Sequence, residues 1–339
     1  MTIPTREFGK TGEKVGCIGY GAMGLAAFYG EPVDQSTVDG VLSKCLEDGV
    51  TFWDTADIYS PMKDPNLGYN EKQIGQFFKS HPDARKKVFL ATKFVNRKTE
   101  KCEMFLDGSP EWCHQACNDS LKRLGVDQID LFYAHRPDPN VDVTKTVGAL
   151  KELKDQGKIR YIGVSEYTVE QLEAANKVAH IDALQIEVSP WTPEALGSHL
   201  AWCEKNGTAL VAYSPLGRGF LTGAYKSVDD FEEGDFRRFN PRFTGENFKK
   251  NLELVEDIKK IASKKGVTPG QIALAWVMQK SEIIIPIPGT KKEKYLDENN
   301  KAASVHLSKD EVAEIDGIIN SFKASGARYA ERMMSAVAF

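Results

Sequence analysis

Four side chains in this sequence have the types and the spacing to manage a proton beside a carbonyl oxygen. Asp54 and Tyr59 lie in Phe-Trp-Asp-Thr-Ala-Asp-Ile-Tyr, Lys93 closes Ala-Thr-Lys, and His135 closes Phe-Tyr-Ala-His. A tyrosine hydroxyl, with a reference pKa of about 10, is a weak acid at neutral pH. A cationic lysine beside it stabilises phenolate and eases release of the proton. An aspartate would keep that lysine charged and oriented, and a histidine can fix the oxygen on which negative charge develops. Taken singly, such a lysine is ordinarily a solvated strand end and such a tyrosine ordinary packing with a wet hydroxyl. The chemistry therefore depends on whether the chain brings the four together.

The elements that carry them suggest that it does. Short β-rich apolar runs alternate with longer segments of helical period, each closed by Gly, Asn, Asp or Pro. Eight runs read as strands, at 15–19, 51–54, 88–93, 129–135, 160–165, 183–187, 209–213 and 283–286. Strands that alternate with helices run parallel, joined by right-handed crossovers. Eight such units in 339 residues predict a single (β/α)8 barrel of the TIM type, one domain over 1–339. The carboxyl ends of barrel strands form one rim, so Asp54, Lys93 and His135 should converge there with Tyr59 just beyond. An aspartate and a lysine directed into an apolar mouth must pair to be tolerated.

Helix signals support the rhythm. Asp34 precedes a stripe of Val38, Val41, Leu42, Cys45 and Leu46 that ends before Gly49. Asn70 reads as a cap with Gln73 three residues on, and Thr168 with Gln171 repeats the pattern. Asp142 opens a helix over 143–156 with Gly157 behind it; Thr268 is followed by Pro269 at the first helical position. Gly19-Tyr-Gly21-Ala-Met-Gly24 matches a dinucleotide fingerprint superficially, but Phe28, Tyr29, Gly30 and Pro32 follow where its helix should start. Two regions exceed the repeat. The connection 214–250 after the seventh strand reads as a lid, its Arg237, Arg238 and Arg242 able to reach a pyrophosphate or neighbouring aspartates; 308–339 adds a helix and a tail.

Composition removes other classes. A formal net charge of −4 favours neither a nucleic-acid backbone nor an anionic membrane. Six cysteines are too few for a disulfide framework, and Cys113 with Cys117 lack the second pair a zinc site needs, so no metal is expected. The amino-terminal residues lack the apolar run of a signal peptide and no stretch reaches membrane-spanning length, so a reducing, cytoplasmic setting is expected.

The set Asp54, Tyr59, Lys93 and His135 on successive strands resembles the tetrad of the aldo-keto reductase superfamily. Asp54-Thr-Ala with Tyr59, and His135-Arg-Pro-Asp-Pro, carry the likeness, which runs from Phe8-Gly-Lys-Thr-Gly to Asn299. It is nearest the fungal, plant and bacterial branch with Pro-Leu-Gly-Arg-Gly-Phe-Leu-Thr-Gly, here 215–223. The resemblance implies NADPH-dependent reduction of carbonyls to alcohols, with Tyr59 as general acid, His135 orienting the substrate oxygen, and Lys93 and Asp54 tuning Tyr59. It further implies Tyr213 stacking on the nicotinamide, Ser165 and Gln185 on its carboxamide, and Ser214, Leu216, Gly217 and Arg218 about the pyrophosphate. Gly289, Thr290 and Lys291 would meet the adenosine phosphate; Tyr295 stands in the same region, and Glu298 and Asn299 would meet the adenine. Glu166, Gly289 and Tyr295 depart from the commoner pattern, in which Asn, Lys and Arg stand at those places. Met23, Phe28, Tyr29, Trp53, Trp191 and Phe220, beside His135, form an apolar rim suited to aromatic or aliphatic aldehydes. Some relatives of this superfamily act instead as NADPH-binding regulatory subunits of channels, with slow turnover.

Overall fold

A computed structural model of the chain describes residues 2–334 and 336–339. Its central sheet has eight strands: β1 Tyr20–Gly21, β2 Phe52–Asp54, β3 Phe89–Phe94, β4 Ile129–Ala134, β5 Ile159–Ser165, β6 Ala183–Glu187, β7 Ala209–Tyr213 and β8 Ile284–Pro286. Each lies parallel to its neighbour in the chain. The Gly19 N–H donates to Pro286 O at 2.9 Å and the Gly21 N–H to Pro288 O at 3.3 Å, joining the first and last strands and closing the barrel. Around it run α1 Gln35–Glu47, α2 Tyr69–Ser80, α3 Pro110–Leu124, α4 Val143–Asp155, α5 Val169–Val178, α6 Ser198–Asn206, α7 Gly245–Lys265, α8 Pro269–Lys280, α9 Glu293–Lys301 and α10 Lys309–Ser321.

Local chemistry explains most boundaries. Asp34 accepts from Thr37 N, Asp142 from Thr144 N, and Thr168 and Thr268 complete reciprocal capping boxes with Gln171 and Gln271. Asn70 is not the cap expected of it. Gly68, at φ 79°, takes that place, and Asn70 lies buried inside α2, accepting from Thr55 Oγ1 (2.6 Å) and donating to Gln73 Oε1 (3.0 Å). A glycine supplies the left-handed turn that brings the helix in close beneath the rim.

The first expected strand, 15–19, misses the barrel strand, and residues 17–19 belong to no strand. Lys14–Gly16 pairs antiparallel with Thr5–Glu7 as a hairpin under the barrel, and β1 begins only at Tyr20. A Cβ at Gly19 would lie 2.7 Å from the Phe52 ring, and one at Gly21 would lie 2.8 Å from Ile287 O. The seam therefore admits glycine and leaves little room for a longer strand. Phe8 from the hairpin region packs on Phe52 and Phe89 at ring separations of 5.3 and 4.7 Å, filling the barrel floor. The connection after β7 also ends earlier than expected, at Gly245, where α7 starts.

Candidate active site

Strand alternation puts the polar groups inside. In β2, Phe52 packs in the barrel interior while Trp53 stacks outward on Phe78 of α2, which returns Asp54 to the interior. In β3 the alternation carries Phe89 and Ala91 inward and so Lys93 as well; in β4 it carries Leu131, Tyr133 and the following His135. All four tetrad positions are therefore buried at one mouth, Lys93 completely.

Lys93 Nζ lies 2.5 Å from Asp54 Oδ1, 2.8 Å from Thr55 O and 3.4 Å from the Tyr59 hydroxyl. Gln185 Nε2 donates to Asp54 Oδ2 at 2.8 Å, so both carboxylate oxygens are occupied. Burial pushes Asp54 up and Lys93 down from their ordinary values, each opposed by the other's charge. The ionised form is the one in which every one of these hydrogen bonds is satisfied. Burial also holds the Tyr59 phenol well above its usual value, with the Asp54 charge adding to it. The downward tuning expected from Lys93 is thus outweighed here, because a phenolate in this pocket would lie beside a carboxylate in low dielectric. The proton stays on Tyr59. The ring of Tyr59 meets His135 edge-on at 5.9 Å. Burial, then the Arg136 and Lys93 charges, drive His135 well below its usual pKa, so its imidazole is neutral. His135 Nδ1 has no partner among the described residues.

Strand ends β5, β6 and β7 bring Ser165, Gln185 and Tyr213 to the same mouth, in register through Gln185↔Ser165 and Glu187↔Tyr213. Ser165 Oγ accepts from Arg136 at 3.2 Å, and Gln185 is turned to Asp54. Beyond β7 the backbone is held in left-handed conformations at Ser214 (φ 50°), Gly217, Arg218 (φ 59°) and Gly219. Strain at two non-glycine residues marks a functional loop more often than a passive one, and Leu216 lies within it, half-buried. Arg218, expected about the pyrophosphate, donates to Glu187 (3.4 Å) and Arg328 O (3.0 Å), because a guanidinium this deep needs the Glu187 carboxylate.

Gly289, Thr290 and Lys291 precede α9, whose Tyr295, Glu298 and Asn299 are three and four residues apart and share a face. Tyr295 is exposed, while Lys291 donates to Tyr29 O at 2.6 Å and Glu31 O at 3.1 Å. The 214–244 connection bridges the mouth: the Phe236 N–H donates to Phe28 O at 3.1 Å, and the Arg237 guanidinium lies 4.8 Å from the Tyr29 ring centre. Its arginines are spent within the loop and its surroundings. Arg237 pairs with Asp235, Arg238 donates to Phe231 O, and Arg242 donates to Thr192 Oγ1.

The rim is smaller than expected. Met23, Phe28 and Tyr29 lie at the mouth, with Phe28 edge-on to Tyr59 at 6.4 Å. Trp53, Trp191 and Phe220 do not. Trp53 packs under α2, and Trp191 stacks on Phe220 at 4.5 Å within the core below the loop, since large rings bury more area there than at a wet rim. Sequence reasoning missed Arg136, Glu187 and the pair Arg328–Tyr329, all of which border the mouth. Glu187, an acid ending a barrel strand, carried a readable signal; the others gain meaning only from distant partners.

With this geometry in view, the comparisons agree. The family model for the aldo/keto reductase family matches residues 17–320, and the chain belongs to that family. It is 46% identical to the aldo-keto reductase yakc [NADP(+)] of Schizosaccharomyces pombe over 97% of this chain and 95% of that protein. It is 43% identical to the aldo-keto reductase str7 of Strobilurus tenacellus, covering 97% and 96%. Among solved structures, the glycerol dehydrogenase AKR11B4 of Gluconobacter oxydans superposes with a TM-score of 0.84 at 25% identity, covering 95% of this chain and 97% of that one.

Proposed function

We propose that this chain, acting as one domain, reduces small aldehydes or ketones to alcohols with NADPH, with Tyr59 as the general acid. The observation that carries the reading is Lys93 in contact with both Asp54 and Tyr59 inside the barrel mouth, beside a neutral His135. A nicotinamide held on Tyr213, Ser165 and Gln185 would supply the hydride. The fit rests on four features: the strained 214–219 loop, the Lys291 ammonium bound among the described residues to two carbonyls, the open His135 nitrogen, and the name of the 46%-identical relative, which specifies NADP(+).

The residues divide the work. His135, neutral, would donate its N–H to the substrate oxygen and set its approach. Tyr59 would hold its proton through the neutral range and give it as charge develops on that oxygen. Lys93 would then face the nascent phenolate, with Asp54 and Thr55 O keeping the ammonium in place. Met23, Phe28 and Tyr29 would exclude water and favour aromatic or aliphatic aldehydes. All six cysteines are free, which fits a reducing cytoplasmic setting, and no helix among the described residues is long and apolar enough to cross a membrane.

NADPH consumption by purified protein across a panel of aldehydes tests this. Tyr59→Phe should reduce turnover by roughly 100-fold or more, while fluorescence titration still shows NADPH binding, because the ring remains and only the proton donor is lost. Residual turnover above about a tenth of wild type removes Tyr59 from the acid role. NADPH binding by the wild type without turnover on any carbonyl would turn the reading toward a regulatory subunit.

A further inference from the structure

The segment after α10 returns across the barrel mouth and places an arginine between two buried carboxylates. Asn251 holds the crossing at both ends of Ser325, donating to its carbonyl (2.9 Å) and accepting from its N–H (2.8 Å). Asn240 and Arg218 then both donate to Arg328 O, at 2.8 and 3.0 Å. So fixed, Arg328 Nη2 lies 2.9 Å from Glu166 Oε1, 3.1 Å from Glu187 Oε2 and 3.1 Å from the Tyr213 hydroxyl. Tyr213 donates to Glu166 at 2.7 Å and lies 3.0 Å from the Tyr329 hydroxyl. Glu166 and Glu187 are 0% and 2% exposed, and Glu166 is held at φ 58°, a left-handed conformation unusual outside glycine.

A staple serving only to fasten the segment would not require two buried acids, since surface pairs or apolar contacts fasten a chain without desolvating charge. The two carboxylates pair with Arg328 and Arg218, the Arg136 and Arg242 charges act on them as well, and the cluster touches Tyr213 directly. Burial alone would raise both acids, but the Arg328 and Arg136 charges at Glu166, and the Arg218, Arg328 and Arg242 charges at Glu187, overcome it and keep them ionised. The oxidised nicotinamide ring is cationic and the reduced ring neutral. Net charge at this cluster therefore discriminates between them.

We propose that Arg328 is a positioning residue that, by neutralising Glu166 and Glu187 beside Tyr213, sets the preference of the site for reduced over oxidised nicotinamide. This rests on the function proposed above.

The test is a pair of dinucleotide titrations on the purified full chain, read as the ratio of the NADP+ Kd to the NADPH Kd. Arg328→Met should lower that ratio about tenfold, equivalent to roughly 30 mV for a two-electron couple, because losing one positive charge beside Tyr213 favours the cationic ring. Glu166→Gln should raise it, and Arg328→Lys should leave it close to wild type. Opposite signs from the two charge removals are what a purely structural role does not produce. Equal weakening of both nucleotides, or an unchanged ratio in both Arg328→Met and Glu166→Gln, overturns the proposal. If Arg328→Met does not fold, Glu166→Gln decides it alone. Failure of the wild type to bind either nucleotide would sink the proposed function as well. Normal binding with an unmoved ratio sinks only this inference.

Discussion

Asp57 stands two residues before Tyr59, fully buried, and no side chain among the described residues hydrogen-bonds its carboxylate. Burial, with Glu71 nearby, raises its pKa well above the ordinary 3.8, so folded Asp57 keeps its proton to higher pH than the unfolded chain does. For such a group, stability is fully present below the unfolded pKa and is lost as pH rises toward the folded value. Asp57→Asn, uncharged at every pH, should therefore melt above wild type by a margin that widens from about pH 4 to pH 8. Thermal unfolding at both ends checks it, and a constant margin would show that Asp57 is ionised when folded. The tetrad was legible because strand parity and strand ends are local properties. Asp57 was not, since its lack of side-chain partners is set by Glu71 and by how α2 docks. Arg328 was harder still: its two carboxylates, one just past β5 and one ending β6, lie 162 and 141 residues away.

Among the elements, the short stretch between β8 and α9 separates two lysines that look alike in sequence. Lys291 is half-buried and reaches across to the loop after β1, whereas Lys292 is exposed and caps α9 without a side-chain bond. Lys291→Ala should weaken NADPH more than NADH, roughly ten- to a hundredfold, since a charge-assisted contact contributes about 1.5–3 kcal/mol. Lys292→Ala should change either by less than about threefold, as exposed charges contribute little. Calorimetric titration of both nucleotides is the measurement, and equal losses from Lys291→Ala would mean that it only fastens the two loops together. Capping signals such as Thr168–Gln171 fixed helix starts well, because their partners lie three residues off. The shift of the first barrel strand from 15–19 to Tyr20–Gly21 was not readable, since only Phe52 and Ile287, brought from elsewhere, make the seam too narrow.

The molecule as a whole is fastened where its first and last parts meet. Arg6, in the hairpin strand Thr5–Glu7, donates to Met278 O (2.9 Å), Ser281 O (3.1 Å) and Ile284 O (2.8 Å), serving carbonyls at the end of α8 and the start of β8. Arg6→Met should lower the unfolding free energy by roughly 1.5–3 kcal/mol, the range for hydrogen bonds from a charged donor. A urea midpoint equal to that of wild type would show that water replaces the guanidinium without loss. This same contact has a temporal meaning on the ribosome. Arg6 and Ile284 are 278 positions apart, so at roughly 5–20 residues per second the nascent amino terminus waits on the order of 14–56 s for the carbonyls it must cap. Until then the growing sheet has an open edge at β1, and whatever shields that edge during synthesis, a chaperone or the slow addition of strands in order, governs how much of the chain escapes aggregation.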